Sequence, residues 1–325
     1  MKRKSKLFLL VSAILFTVGA IVCLIGAGVS STTGEQIYSS KIGEDRGYTY
    51  DFGDGEIDKI KVKVTDADVN VYGSSEKTYM EVINFNENLC SYTGNNAIVT
   101  FRETAKVEDI TGFWENGLSF KGLRYILRPV PADKKKVVNI YISSSDHIKA
   151  FDISAETGIV NISSINTVTD YHVNIASGKI FFADVITESG ISIKTTGDSS
   201  SDISFNRVNA DMVDINAKRA GFSAEGFSFN SCEMNVINGS AKFAFVPKNQ
   251  LYDMDITTKG KLTVDGEVYP DRYTHHSEEI TSPEDPGGDG EGEDRSYLKI
   301  SGDDFSVTVT TPVPAEVPEE TIQEN

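Results

Sequence analysis

The chain has 325 residues, of which 39% are apolar and 24% charged, and a formal net charge of -17. An acidic surface without a basic stripe repels phosphate backbones, which excludes nucleic acid as a partner. Three cysteines are too few for a disulfide framework, and the length allows one long domain or two ordinary ones.

Lys2, Arg3, Lys4 and Lys6 form a basic tip, and Leu7 to Val29 then runs uncharged and almost wholly apolar. As a helix this stretch would reach about 35 Å, enough for a hydrocarbon core of ~30 Å. A cleaved signal peptide has a shorter apolar region, about 7–15 residues, so an uncleaved transmembrane signal-anchor is expected over 1–30. "GAGVSS" keeps cleavage open as the alternative. The positive-inside rule then places the protein in the cell membrane as a single-pass chain, with the bilayer around the N-terminal helix and the C-terminal domain extracellular.

Residues 31–56 read as a polar stalk, and 57–310 as one repeat domain. Ile60, Val62 and Val64, a turn at Asp66 to Asp68, then Val69 and Val71 alternate with period two, the pattern of paired strands. Residues 79–136 are less regular and carry the only tryptophan. Trp114 with Phe113, Phe120, Lys121, Arg124, Tyr125 and Arg128 could form an exposed contact patch or a cap over an open sheet end, and the cap is the preferred reading.

From Phe151 the chain repeats itself. Corresponding positions fall at Phe151, Tyr171, Ile191, Val213, Met234 and Met254, in steps of 20, 20, 22, 21 and 20 residues. Each unit is an apolar pair, a polar turn and a second apolar pair, with Gly158, Gly178, Gly197, Gly221, Gly239 and Gly260 in or beside the turns. A fixed period with β alternation predicts an all-β, single-stacked β-solenoid, a β-helix-like repeat with coils of about 20 residues, preceded by one transmembrane helix. Residues 271–296 read as an acidic, Gly/Pro-rich insertion. "YLKISGDDFSVTVTTP" resumes the strand pattern, and 311–325 reads as a disordered acidic tail.

The short anchor, "KIKVKVTDADVNVYG" and the "DISAETGIVNIS"-like units together resemble the bacterial "putative adhesin" family of β-solenoid domains, over about residues 57–310. The resemblance implies an extracytoplasmic, non-enzymatic protein associated with the envelope of Gram-positive bacteria. The family has no agreed catalytic residues, so none carry over.

The chemistry-bearing residues point the same way. Phosphate-cradling glycine loops open helices, whereas each turn here leads into β alternation. A tight corner or a positive φ accounts for the glycines. His275, His276, Glu278 and Glu279 are potential metal ligands, but adjacent histidines on an extended chain point to opposite sides. Asp285, Asp289, Glu291 and Glu293 could hold calcium weakly, without the ordered spacing of an EF-hand loop. His147 and His172 have no recognisable nucleophile partner, and no G-x-S-x-G elbow is present. Cys90 and Cys232 could pair in an oxidising compartment or stay as two buried thiols.

No catalytic, metal or cofactor-binding residue is therefore assigned, and no cofactor is expected. The function expected is a non-enzymatic module for binding, adhesion or envelope-associated sensing, with an envelope or surface protein or a glycan as partner. The alternative is a carbohydrate-active β-helix enzyme, which would need two or three acids or bases converging in a groove.

Overall fold

The computed structural model describes residues 16–18, 45–52, 57–95, 97–104, 135–248, 251–277 and 295–311. Its strands are β1 (Asp45–Asp51), β2 (Lys59–Asp66), β3 (Asp68–Ser75), β4 (Tyr79–Asn86), β5 (Cys90–Asn95), β6 (Ile98–Glu103), β7 (Val137–Ser143), β8 (Ile148–Ile165), β9 (Val168–Ile186) and β10 (Gly190–Thr195). They continue as β11 (Ser201–Pro247), β12 (Leu251–Thr258), β13 (Leu262–Val264), β14 (Glu267–Tyr269), β15 (Arg272–His276), β16 (Arg295–Gly302) and β17 (Asp304–Thr310). A 3-10 turn, Glu87–Leu89, separates β4 from β5.

The chain divides into two compact units. One comprises Met1–Gly47, Ile83–Ser91 and Glu103–Lys135, the other Tyr48–Val82, Tyr92–Arg102 and Lys136–Asn325. In the described part of the first, Phe85 and Leu89 are buried. There Thr104 Oγ1 donates to the Leu89 carbonyl at 2.9 Å.

The second unit is built from two parallel ladders. Strand formation follows from alternation: in β2, Ile60, Val62 and Val64 are buried while Lys61 and Lys63 between them are exposed. In the first ladder Val99 of β6, Ile60 of β2, Phe151 of β8, Tyr171 of β9, Ile191 of β10 and Val213 of β11 lie in one register. In the second, Ile140 of β7, Val71 of β3, Ile162 of β8, Phe182 of β9 and Phe205 of β11 do the same. The long strands β8, β9 and β11 take part in both ladders, turning a corner between them. Their inward side chains meet in a spine of edge-on aromatic rings. Tyr171 and Phe182 are 5.5 Å apart, Phe182 and Phe205 5.2 Å, Phe205 and Phe222 5.3 Å, and Phe222 and Phe243 5.6 Å.

The corners explain three of these glycines. Gly158, Gly178 and Gly239 have φ of +133°, +142° and +138°. A Cβ at each would lie 2.1, 2.1 and 1.9 Å from the carbonyl oxygens of Ala67, Gly158 and Ala220. Neighbouring passes of backbone approach too closely for any side chain. At the other corner Ser164, Asp184 and Arg207 take the left-handed conformation, with φ of +58°, +55° and +52°, and Asp184 and Arg207 bridge adjacent passes as an ion pair.

The predicted fold class is corrected in two respects. First, of the apolar stretch Leu7 to Val29 the structure describes 16–18, a helical fragment, and among the described residues no helix is long and apolar enough to cross a membrane. The expected transmembrane helix, the bilayer contact through it and the single-pass, extracellular location that rested on it are withdrawn. Second, the strands do not form a single-stacked solenoid of sequential coils. Strand β2 lies between β6 and β8, and β3 between β7 and β8. At the other end β16 lies between β11 and β12, and β17 between β11 and β13. The sheet also has an antiparallel part, in which β14 pairs with β13 and β15 with β12.

These insertions also shift the expected register. Leu298 is in register with both Cys232 and Met254, and Ile300 with both Met234 and Ile256. Met254 therefore corresponds to Cys232, not to Met234. Arg272–His276, inside the expected insertion 271–296, is strand β15.

Candidate functional site

Outward positions of the second ladder follow from the same registers. Because side chains alternate between faces, the residues flanking Val71, Ile140 and Ile162 point away from the core. One outward row is Asn139 of β7, Asn70 of β3, Asn161 of β8 and Phe181 of β9. The next is Tyr141, Tyr72, Ser163 and Ala183 on the same strands. All eight are half-buried.

Tyrosines dominate one end of this face. Tyr79 of β4 stacks on Tyr141, with ring centroids 4.6 Å apart and planes 16° apart. Tyr141 contacts Tyr72 at 5.6 Å with a 32° tilt. The Tyr141 hydroxyl donates to Glu81 Oε2 at 3.5 Å. Burial pushes the Tyr141 phenol pKa above its ordinary value, and the Glu81 carboxylate beside it adds to the rise. Asn70 Nδ2 donates to Asn139 Oδ1 at 2.9 Å, which ties these two carboxamides together. Thr78 Oγ1 bonds to Asp146 and accepts from the Ser143 N–H at 2.9 Å, fixing the start of β4 against the end of β7. The result is a firm surface of phenol, carboxamide and small hydroxyl groups, with rings braced by one another and by the ladder beneath.

Elsewhere the outward carboxylates are held by cations on neighbouring strands. Arg207 Nη2 lies 2.7 Å from Asp184 Oδ2, Lys299 Nζ 2.7 Å from Glu233 Oε1, and Lys59 Nζ 2.8 Å from Asp152 Oδ2. Lys218 pairs with Asp198 and Lys248 with Asp211. The bond from Arg207 holds the Asp184 carboxyl below its ordinary pKa, and the bond from Lys218 does the same for Asp198. A groove of about 270 Å³ lies over Asn235, Thr257 and Ser301, between Ile237 and the Lys259–Asp303 ion pair. Gly302 in its lining is required by close packing, since a Cβ there would meet the Val236 carbonyl oxygen at 2.4 Å.

The residues singled out in the sequence fall away from the tyrosine face. His275 stacks on Tyr252 at 5.0 Å, while His276 Nδ1 lies 2.7 Å from Asp253 Oδ1, so the two are spent on separate contacts. Arg295 Nη1 reaches the same Asp253 oxygen at 2.9 Å. His172 is exposed on β9 between Asp152 and Ser192, and His147 is exposed ahead of β8. Cys232 is a buried thiol whose pKa is raised by that burial, and Cys90 is a half-buried thiol at the start of β5. Glu278, Glu279, Asp285, Asp289, Glu291 and Glu293 lie outside the described residues, as do Phe113, Trp114, Phe120, Lys121, Arg124, Tyr125 and Arg128.

The tyrosine face was missed in the sequence because its members come from three separate strands, β3, β4 and β7. The available signal was outward aromatic residues at alternating positions, in "VNVYG" and "VVNIYIS", where a solvated strand face needs none.

No protein-family model matches the chain, and no curated protein matches it. Among solved structures, the chain is similar to a "putative cell adhesion protein" from Clostridium sporogenes, at 10% identity and a TM-score of 0.36 over 83% of this chain and 100% of that one. It is also similar to a "putative adhesin" from Parabacteroides merdae, at 14% identity and a TM-score of 0.36 over 82% of this chain and 97% of that one. A "putative lipid binding protein" from Parabacteroides distasonis is similar at 14% identity and a TM-score of 0.29, over 82% of this chain and 94% of that one.

Proposed function

We propose that the chain is a non-enzymatic binding module, of the adhesive kind, whose contact surface is the outward face formed by β3, β4, β7 and the second half of β8. The observation that carries this reading is the row Tyr79, Tyr141 and Tyr72 beside the carboxamides of Asn70, Asn139 and Asn161. Tyrosine supplies a large amphipathic contact area at little conformational cost, and asparagine and serine supply adaptable hydrogen bonds. The enzyme reading receives less support. An acid or base must be free to exchange its proton, while Asp152, Asp184, Asp198, Asp211 and Glu233 are each paired with a cation.

The test is adherence of beads carrying the full chain to bacterial envelope preparations. The triple variant Tyr72→Ser, Tyr79→Ser, Tyr141→Ser should lose adherence while keeping its thermal transition. Adherence unchanged in that variant, or turnover of a polysaccharide by the wild-type chain, would overturn the proposal.

A further inference from the structure

The tyrosine row stops abruptly. Tyr79, Tyr141 and Tyr72 occupy consecutive strands, and the next two residues in the same outward row are Ser163 and Ala183. Neighbouring strands lie about 4.8 Å apart, so two small residues open a shelf roughly two strands wide beside the last ring. Tyr72 is the last ring of the row, 5.6 Å from Tyr141, and the shelf begins on its side away from Tyr141, at Ser163. Asn161 and Phe181, in register on β8 and β9, border it along one side. The corner residues Asp184 and Arg207 border it along the other and neutralise each other as an ion pair.

We infer that this shelf is a glycan subsite, which takes one neutral hexopyranose ring against Tyr72 over a floor of Ser163 and Ala183. The inference rests on the binding-module reading above and specifies its ligand class. Three properties single out such a ring. A pyranose has an apolar C–H face that matches an exposed aromatic face. Its hydroxyls match the Asn161 carboxamide and the Ser163 hydroxyl, both donors and acceptors. The shelf residues carry no charge and the bordering ion pair is closed, while the chain as a whole is strongly acidic, so an anionic sugar is repelled and nothing rewards a cation. A protein side chain would need a deeper socket to be buried as an anchor, and the floor here is flat sheet.

The test is binding of the full chain to an array of neutral gluco-, manno-, galacto- and N-acetylhexosamine oligosaccharides, with uronic-acid oligosaccharides as the charged comparison. At least one neutral class should bind, and hits are then titrated calorimetrically. Tyr72→Ala should weaken binding about tenfold or more. Ser163→Tyr, which extends the tyrosine row and fills the shelf, should abolish it, with Ala183→Phe as the second variant should Ser163→Tyr lose its thermal transition. Lys299→Gln, on β16 and outside the tyrosine face, should bind within about twofold of wild type. Neutral-glycan binding that survives both Tyr72→Ala and the shelf-filling variant overturns the inference, as does preference for uronic acids. No glycan binding together with tyrosine-dependent adherence to an envelope protein overturns the glycan assignment and leaves the binding-module reading standing. No tyrosine-dependent binding of any kind overturns both.

Discussion

The Cα of Gly178 sits against the carbonyl oxygen of Gly158, close enough that a Cβ would come within 2.1 Å of it. Gly158 in turn packs its own Cα against Ala67 of the preceding pass, at the same 2.1 Å for an added Cβ. Each corner is the mould for the next, and the obstacle is backbone, which has nowhere to move.

Gly178→Ala should therefore be among the most damaging single-methyl changes in the chain. A side chain in this backbone region costs about 1–3 kcal/mol in conformational strain alone, and the clash adds to that. Gly266 separates the two contributions, because it has φ of +85° with nothing within 4 Å of an added Cβ. Gly266→Ala should lower the thermal midpoint by the strain alone and Gly178→Ala by clearly more. Equal losses would refute the close-approach account.

Phe205 meets Phe182, Phe222 and Phe227, each at 5.2–5.3 Å between ring centroids. Phe205→Ala should cost about 3–5 kcal/mol by denaturant unfolding, and Phe205→Leu markedly less. A loss below ~1 kcal/mol for the alanine variant would mean that the spine collapses to fill the space.

Cys232 is fully buried, and burial raises its thiol pKa. Alkylation followed by peptide mass spectrometry should find it unmodified in the native protein at mildly alkaline pH and modified once the chain is unfolded. Rapid native labelling would mean that the β11–β16 region opens locally.

The Tyr141 phenol has a pKa raised above the ordinary value of 10.0, first by burial and then by Glu81. A raised value means that the folded state holds the proton more tightly than the unfolded one. The associated stability is thus fully present below the unfolded pKa and is lost as pH rises through the folded one. Tyr92, Tyr171, Tyr252, Tyr269 and Tyr273 are raised as well, so the late-ionising tyrosinate absorbance should shrink by one tyrosine's share in Tyr141→Phe, and Glu81→Gln should move that share back toward the ordinary range. An unchanged titration in both variants would place the late component elsewhere.

Arg295 donates from Nη1 and Nη2 to the Ser277 carbonyl at 3.1 and 3.0 Å, so the residues that flank 278–294 are already in contact. Replacing 278–294 by a short Gly–Ser linker should leave the thermal midpoint nearly unchanged, because closure entropy varies only slowly with loop length. Truncating the chain before Arg295 should unfold the C-terminal end, since Leu298, Ile300, Phe305, Val307 and Val309 are all buried. Hydrogen exchange in β12 and β13 reads both outcomes, and a truncated chain with protected β12 amides would contradict the intercalated order.

Much of the central ladder was legible because periodicity and register have one cause there. Phe151, Tyr171, Ile191 and Val213 recur in sequence at the steps with which they pair in space. The ends were not legible. Nothing local in "YLKISGDDFSVTVTTP" distinguishes a strand pair added at the edge from one slipped between two others, because parallel neighbours on either side ask for the same alternation. The shift of Met254 onto Cys232 follows from that insertion and cannot appear in a spacing count. The tyrosine face was hidden for a related reason, since Tyr72, Tyr79 and Tyr141 become neighbours only through pairings made by distant segments.

The placement of β16 and β17 between β11 and the β12–β13 pass also sets a timetable for synthesis. As the chain leaves the ribosome, residues 251–276 emerge before 295–310, yet they have no finished edge to rest on until the later residues arrive. The growing molecule must hold an incomplete edge of β11 open across that interval, or pair it provisionally and then exchange partners. Completion of this edge therefore waits on β16 and β17, and release of the nascent chain before they emerge would yield a body with its growing edge exposed.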